Sequence, residues 1–202
     1  MPAMTSARPS APERLHFTGD DEADRLIASD PFALLIGFAL DQQVSVQKAF
    51  SGPAELRRRL GHLDVGRIAA MDPDELDEAF RRRPALHRFP SAMAKRVHAL
   101  AEQMVDRYGG DASRVWTDAS DGRDLQRRLS ALPSFGDMKV SSMLAILHRR
   151  FGVDLPGMDE RLPRHPTLGD VDSSQALADY QAAKKAHKAE WLKAQKASKS
   201  PA

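Results

Sequence analysis

The sequence predicts an all-α protein, and three observations support this fold class. Apolar residues recur at a spacing of three or four along most segments, which is typical of amphipathic helices. Aspartates, some of them followed directly by proline, stand where such segments begin, as helix caps do. No segment shows a sustained alternation of apolar and polar residues, so no convincing strand is predicted.

The first two helices are predicted close to the start of the domain. Asp20 or Asp21 can cap a short helix that runs to Ile27, and Asp30-Pro31 begins the next one. This second helix, Phe32 to Leu40, is apolar on every side and is therefore expected at the centre of the core.

Four further helices are predicted before residue 84. Ser51-Gly52-Pro53 is expected to separate a helix over 45–50 from another over 54–60, because glycine and proline both interrupt helices. Helices over 65–71 and 73–80 follow, each of them preceded by an aspartate that can cap it.

The second half of the chain begins with a long predicted helix. An apolar stripe from Met93 to Tyr108 defines one buried face of it, and Gly109-Gly110 ends it. A short helix holding Trp116 follows. After an irregular proline-containing stretch over 153–172, a final helix is expected from about 173 to 196.

Two helices joined by a sharp turn are predicted between about residues 124 and 147. The turn contains Leu132-Pro133 and Gly136, and we expect Gly136 to adopt a backbone conformation that a side chain would hinder. The second helix then begins with free backbone N–H groups, which attract an anion such as phosphate, and Lys139 lies in its first turn.

Composition and charge limit the classes of function. The chain has no cysteine, which excludes disulfides, thiolate zinc sites and iron–sulfur clusters, and it has no apolar run long enough to span a bilayer. Six lysines stand against two acids from residue 173 onward, so the basic excess belongs to the tail. We therefore predict a disordered leader over 1–14, one helical domain over 15–172 and a lysine-rich tail over 173–202.

The turn resembles the helix-hairpin-helix motif, whose core reads Leu-Pro-Gly-x-Gly-x-x-x-Ala. Leu132, Pro133 and Gly136 match this core, Ser134 replaces its first glycine, and Val140 replaces its small alanine. The alternative interpretation of these residues alone is an ordinary corner in a helical core.

Two earlier segments extend the resemblance. Residues 34–46, with Asp41-Gln42-Gln43, are similar to the Ile-Leu-x-Gln-Gln-x-Ser segment of DNA glycosylases of the helix-hairpin-helix-GPD superfamily. Residues 89–110 are similar to the helix that precedes the hairpin in those enzymes. Short bacterial members of the superfamily also share the Phe50–Pro53 turn and the Pro84–Pro90 segment, and the resemblance covers about residues 30–153 well.

The resemblance implies a two-lobed helical protein with a DNA-binding cleft between its lobes. Such a protein flips a damaged base out of duplex DNA into a pocket and works as a monomer without cofactor, metal or membrane. Its hairpin binds the phosphates beside the lesion without reading sequence. The expected DNA-binding positions of the hairpin are Ser134, Phe135, Gly136, Met138 and Lys139.

The resemblance also suggests roles for the polar residues after the central helix. Gln43 falls where relatives place a wedge that fills the gap left by the flipped base. Alternatively, it caps a helix end or forms a hydrogen bond between the lobes. Gln42 and Asp41 are expected to line the base pocket, because amides and carboxylates can read the hydrogen-bonding edge of a base. Alternatively they belong to a structural network.

Lys139 has two competing interpretations. Bifunctional relatives place a lysine nucleophile two residues after the second glycine of the hairpin, and a count without gaps puts Met138 there. Lys139 comes one residue later, about 100° around the helix. We therefore expect Lys139 to be a phosphate ligand or an exposed helix charge, and a catalytic residue only if the enzyme is bifunctional.

The catalytic aspartate of the superfamily follows the second helix of the hairpin. It stabilises the positive charge that develops on the sugar, or it orients the attacking water. Counting from Phe151-Gly152 places Asp159 in this position, with Asp154 as the second candidate. Alternatively, both are solvated loop acids.

The preferred functional hypothesis is a monofunctional DNA N-glycosylase of base excision repair in the cytoplasm, associated with the nucleoid. The second hypothesis is a non-catalytic DNA-binding protein that kept the scaffold and lost the chemistry. A helical protein without a DNA role is the third. Arg81-Arg82-Arg83 and the lysine-rich tail are weaker candidates for phosphate contacts, because charge runs are usually solvated.

Overall fold

The computed structural model describes residues 11–198, and it describes side chains as far as residue 186. This part of the chain is helical and contains no strand, so the predicted all-α class is confirmed. Its helices are α1 Asp21–Ser29, α2 Pro31–Leu40, α3 Val46–Leu60, α4 Val65–Ala69, α5 Pro73–Arg81, α6 Pro90–Tyr108, α7 Arg114–Thr117, α8 Gly122–Ser130, α9 Asp137–Phe151 and α10 Ser174–Ser198. Two short 3₁₀ helices, Asp159–Arg161 and Leu168–Asp170, lie between α9 and α10.

Aspartate side chains begin most of the early helices, as the sequence predicts. Asp20 caps α1 and Asp30 caps α2, where its carboxylate accepts hydrogen bonds from the N–H groups of Phe32 and Ala33. Asp64 and Asp72 cap α4 and α5 in the same way. Each cap satisfies N–H groups that the helix itself leaves unpaired.

The predicted break at Ser51-Gly52-Pro53 is wrong, because α3 continues through all three residues. Gly52 and Pro53 are buried, and Gly52 lies directly against the side chain of Leu40. Burial of this face between neighbouring helices offsets the helix-breaking preference of proline, which costs about 3 kcal/mol in a helix interior.

The helices form two groups that share a hydrophobic core. The first group, α1 to α6, packs around α2, in which residues 32–40 are all buried. The second group contains α7 to α10 and the two 3₁₀ helices, with α8 and α9 packed on each other as the hairpin. Phe38 of α2 and Phe135 of the hairpin turn join the groups, with ring centroids 5.8 Å apart.

The segments at the two ends of the domain differ in how far the structure describes them. Residues 1–10 of the predicted leader lie outside the described residues, whereas Glu13 and Arg14 form ion pairs with α1. In α10, Gln181 exchanges amide hydrogen bonds of 3.2 and 2.8 Å with Gln47 of α3. The first half of the predicted tail is therefore part of the fold.

No helix in the described part of the chain combines the length and the apolar character that a membrane span requires.

Candidate functional site

A cavity of about 440 Å³ lies where the end of α2 meets the hairpin turn. Its size falls within the range of about 300–1,000 Å³ that is usual for ligand pockets. We call it the hairpin cavity, and its lining residues are Asp41, Gln42, Arg96, Leu132, Ser134, Phe135, Gly136 and Lys139. The structure thus brings together three segments that the sequence separates by many residues.

The end of α2 is held in place by a buried histidine. His87 accepts a hydrogen bond at Nδ1 from the N–H group of Phe89, so its Nε2 carries the hydrogen and donates to the carbonyl of Leu40, at 3.1 Å. The pKa of His87 is lowered, mainly by burial, so the neutral ring is favoured. This hydrogen bond fixes the backbone carbonyl of the residue directly before Asp41.

Arg96 of α6 fixes the side chain of Gln42. The Arg96 guanidinium donates a hydrogen bond to Oε1 of Gln42, and both residues are partly buried at the cavity wall. With its oxygen engaged in this way, the Gln42 amide keeps its N–H₂ group as a donor.

Asp41 is a partly buried carboxyl group that the fold does not use. No described residue donates a hydrogen bond to its side chain. Burial raises its pKa, and the positive charges of Lys184 and Lys139 act in the opposite direction. A carboxylate without a structural partner is available to a ligand.

Lys139 is the counterpart of Asp41 across the cavity. Its Nζ atom is buried and has no hydrogen-bond partner among the described residues. Burial lowers its pKa, with a further contribution from the nearby charge of Arg96, while Asp41 acts in the opposite direction. The expectation of an exposed helix charge is therefore wrong, and it is Met138, 68% exposed, that faces outward.

The hairpin turn differs in one respect from the prediction. Gly136 has an ordinary φ of −85°, and no atom would meet a side chain placed there. The left-handed conformation belongs to Ser134 instead, with a φ of +67°. Ser134 occupies the position of the motif's first glycine, and its positive φ is a conformation that glycine adopts without steric cost.

The start of α9 presents free donors at the edge of the cavity. Gly136 is the cap of α9 and supplies no side-chain hydrogen bond, so the N–H groups of Asp137 and Met138 have no partner among the described residues. Such N–H groups, at the positive end of a helix dipole, attract anions. Phe135 contributes differently, because its side chain is buried against Phe38 and the turn is anchored by it.

Gln43 lies next to the cavity and points its side chain toward solvent. It is exposed, it is absent from the cavity lining, and its φ of +55° is uncommon for a residue with a side chain. A strained, exposed residue beside a polar cavity is a frequent feature of functional sites.

Neither predicted catalytic aspartate lines the hairpin cavity. Asp154 is exposed just beyond the C-terminal end of α9, a helix about 22 Å long, whereas the hairpin turn is at the other end. Asp159 is exposed, and its neighbour Met158 packs against Gly122 at the first turn of α8. The catalytic role of Asp154 or Asp159 therefore stays a prediction. The carboxyl group that does line the cavity is that of Asp41.

A larger cleft of about 590 Å³ runs along α8 but holds none of the hairpin-turn residues. Its two acids are already engaged, since Asp121 caps α8 and Asp124 pairs with Arg127 and Arg128. Among the described residues, no group of three or more histidine, aspartate or glutamate side chains is placed to hold a metal ion.

Sequence reasoning missed four residues that shape the site. Arg96, His87, Tyr180 and Lys184 come from three separate segments, and the only local signal was the Lys95-Arg96 pair in α6. Tyr180 and Lys184 of α10 lie close enough to Asp41 for their charges to be coupled. The beginning of α10 therefore contributes to the electrostatics of the cavity.

Comparison with known families places the chain beside a DNA repair family. A family model described as HhH-GPD superfamily base excision DNA repair protein matches residues 36–199 of the 202-residue chain. No characterised protein and no solved structure matches. The matched range includes the hairpin and every residue that lines the cavity.

Proposed function

Since this chain belongs to the HhH-GPD superfamily of base excision DNA repair proteins, we propose that it is a DNA N-glycosylase that works as a monomer on nucleoid DNA. In this function it flips a damaged base out of the duplex and hydrolyses the bond between that base and deoxyribose. One observation carries the proposal: free helix N–H groups and two unpartnered charged side chains meet at one cavity.

Each part of the site suits one part of this task. The N–H groups at the start of α9 would bind the phosphate next to the lesion, and the hairpin cavity would receive the base. Gln42, held by Arg96, offers an amide donor to the edge of the base. Gln43, exposed beside the cavity, would fill the gap left in the stack.

A bifunctional enzyme is the second candidate, and one observation favours it. Lys139 lines the cavity, and its buried Nζ atom has no partner among the described residues. Met138, which the residue count had put in the position of the nucleophile, is exposed and does not line the cavity. A buried lysine with a lowered pKa is easier to deprotonate and can then attack carbon as an amine. This route would form a covalent protein–DNA adduct, whereas simple hydrolysis would not.

The test uses duplexes that carry alkylated, oxidised or deaminated bases. We expect base release from at least one duplex, detected as strand cleavage after alkali, and no adduct after borohydride treatment. An adduct that disappears in the Lys139→Ala variant would support the bifunctional route instead. Binding to DNA without release from any duplex would contradict the glycosylase proposal and support the non-catalytic alternative.

Binding to a duplex with a neutral abasic-site analogue tests the role of the cavity directly. We expect Arg96→Ala to weaken this binding by about tenfold, because a charge-assisted hydrogen bond is worth about 1.5–3 kcal/mol. Arg107→Ala is the matched control, since it removes an exposed arginine from the same helix outside the cavity. Fluorescence anisotropy at several salt concentrations gives both affinities, and equal losses in the two variants would contradict the proposal.

A further inference from the structure

The hairpin cavity contains two ionisable groups of opposite charge that the fold itself does not use. Asp41 follows α2 and Lys139 lies in the first turn of α9, so each belongs to a different group of helices. The Lys139 Nζ atom is buried without a partner, and the Asp41 carboxylate accepts no hydrogen bond from a described residue. The two side chains line the same cavity but do not form a direct ion pair.

A purely structural role explains these two residues poorly. Structural charges in proteins are normally paired or hydrogen-bonded, because an unpaired buried charge is costly. Asp24 follows this rule, since its carboxylate accepts hydrogen bonds from Phe17 and Thr18. Asp77 Oδ1 and Arg150 Nε are also buried without a partner among the described residues, but neither of these residues lines the hairpin cavity. The cavity therefore keeps two charges in a costly state that a bound substrate would relieve.

We propose that Asp41 and Lys139 are the proton-transfer pair of the reaction, an inference that rests on the glycosylase function proposed above. Asp41 accepts a proton from the attacking water as the water oxygen bonds to C1′ of the sugar. The bond from C1′ to the base breaks, its electron pair leaves with the base, and the Lys139 ammonium protonates that base. Asp41 then returns its proton to Lys139, which restores both groups.

The surroundings of the pair agree with these roles. Arg96 from α6 and Lys184 from α10 add positive charge near the cavity, and Tyr180 of α10 lies near Asp41. Burial makes Asp41 a stronger proton acceptor and Lys139 a stronger proton donor than either would be in water. A carboxylate beside C1′ would also stabilise the positive charge that develops on the sugar.

The test compares two duplexes that need no knowledge of the lesion. One carries a pyrrolidine whose cationic nitrogen stands at the position of C1′, and the other carries neutral tetrahydrofuran. We expect the wild type to bind the cationic duplex at least about tenfold more tightly, because hydrogen bonds to charged groups contribute about 1.5–3 kcal/mol. Asp41→Asn should abolish this preference, whereas Lys139→Gln should increase it by removing a repelling charge.

Two further variants separate the alternatives. Asp106→Asn is the control, since it removes an exposed acid of α6 and should keep the preference for the cationic duplex. If Asp159→Asn loses this preference and Asp41→Asn keeps it, the inference is overturned. On a duplex from which the wild type releases base, Asp41→Asn should slow release by at least about 100-fold with unchanged tetrahydrofuran binding. Circular dichroism checks the fold of each variant.

The outcomes distinguish the inference from the proposed function. Base release that survives Asp41→Asn, or a wild type without preference for the cationic duplex, overturns the inference and leaves the glycosylase function standing. A protein that binds neither duplex contradicts both. If all damaged duplexes stay intact while the preference depends on Asp41, the cavity geometry is supported and the proposed function fails.

Discussion

At the scale of single residues, the left-handed position of the hairpin turn is occupied by a serine and not by a glycine. The motif has glycine where this chain has Ser134, and the structure shows that Ser134 still adopts the left-handed backbone conformation. A side chain in this conformation costs about 1–2 kcal/mol. The glycine that the sequence does retain, Gly136, has a φ of −85° that any residue can adopt. The turn is therefore conformationally strained at one position and relaxed at the other.

We predict that Ser134→Gly stabilises the protein by about 1 kcal/mol, because glycine adopts a positive φ without steric cost. Ser134→Ala is the control, since alanine keeps the Cβ atom that causes the strain. Urea denaturation measures the free energy of unfolding of both variants. An equal change in the two would show that the serine hydroxyl, and not the backbone, determines stability at this position.

At the scale of elements, α2 and α3 cross in close contact at two glycines. Gly37 lies against the ring of Phe50, and a Cβ atom there would come within 2.4 Å of it. Gly52 lies equally close to Leu40. These two contacts let the helices approach closely and explain why α3 stays intact through Pro53.

We predict that Gly37→Ala destabilises the protein by about 1–3 kcal/mol, the usual cost of overpacking a core. Phe50→Leu should recover part of this loss when the two changes are combined, because it makes room for the added methyl group. Gly66→Ala in α4 is the control, since its added Cβ meets only ordinary contacts and helix propensity should favour it by about 0.5–1 kcal/mol. Thermal or urea unfolding that ranks Gly37→Ala with this control would contradict the close crossing.

At the scale of the whole molecule, the two groups of helices meet around opposite charges. Asp41 comes from the first group and Lys139 from the second, while Phe38 and Phe135 pack the groups together close by. Burial of an ammonium group without a partner makes the folded state less stable than an apolar contact would. Stability is therefore reduced where the proposed chemistry requires charged groups.

The pH dependence of stability should reveal this cost. Burial lowers the pKa of Lys139 in the folded state below its usual 10.5, so the unfolded chain binds more protons between the two values. Stability from this group therefore increases with pH across that window and is lost as the pH falls. We predict that Lys139→Met is more stable than the wild type at neutral pH, and that the difference shrinks as the pH approaches 10.5.

Urea denaturation of the wild type and the variant at a series of pH values measures this difference. Lys95→Met is the control, because it makes the same substitution at an exposed lysine of α6 outside the cavity. A difference between Lys139→Met and the wild type that does not vary with pH would show that Lys139 is not desolvated in the folded protein.

Features that depend on local interactions could be predicted from the order of the residues. Aspartate caps, apolar spacing and glycine stops act within a few residues, so they predicted the all-α class, nearly all helices and the hairpin. The family was also accessible from the sequence, because its motifs are short contiguous segments. The break at Pro53 was wrongly predicted because propensity alone ignores the helices that bury it.

Which side chains share the cavity depends on how distant helices pack together. Arg96 contacts Gln42 across 54 residues of sequence, and His87 holds Leu40 across 47, so no local pattern could reveal either contact. The sequence also could not show whether Lys139 or Met138 lines the cavity. The helical repeat gives the angle between the two side chains, but it does not give which of them lies against another helix. The packing of separate helices fixes the rotation of each helix about its axis. This rotation determines which side chains point toward one another and form the site.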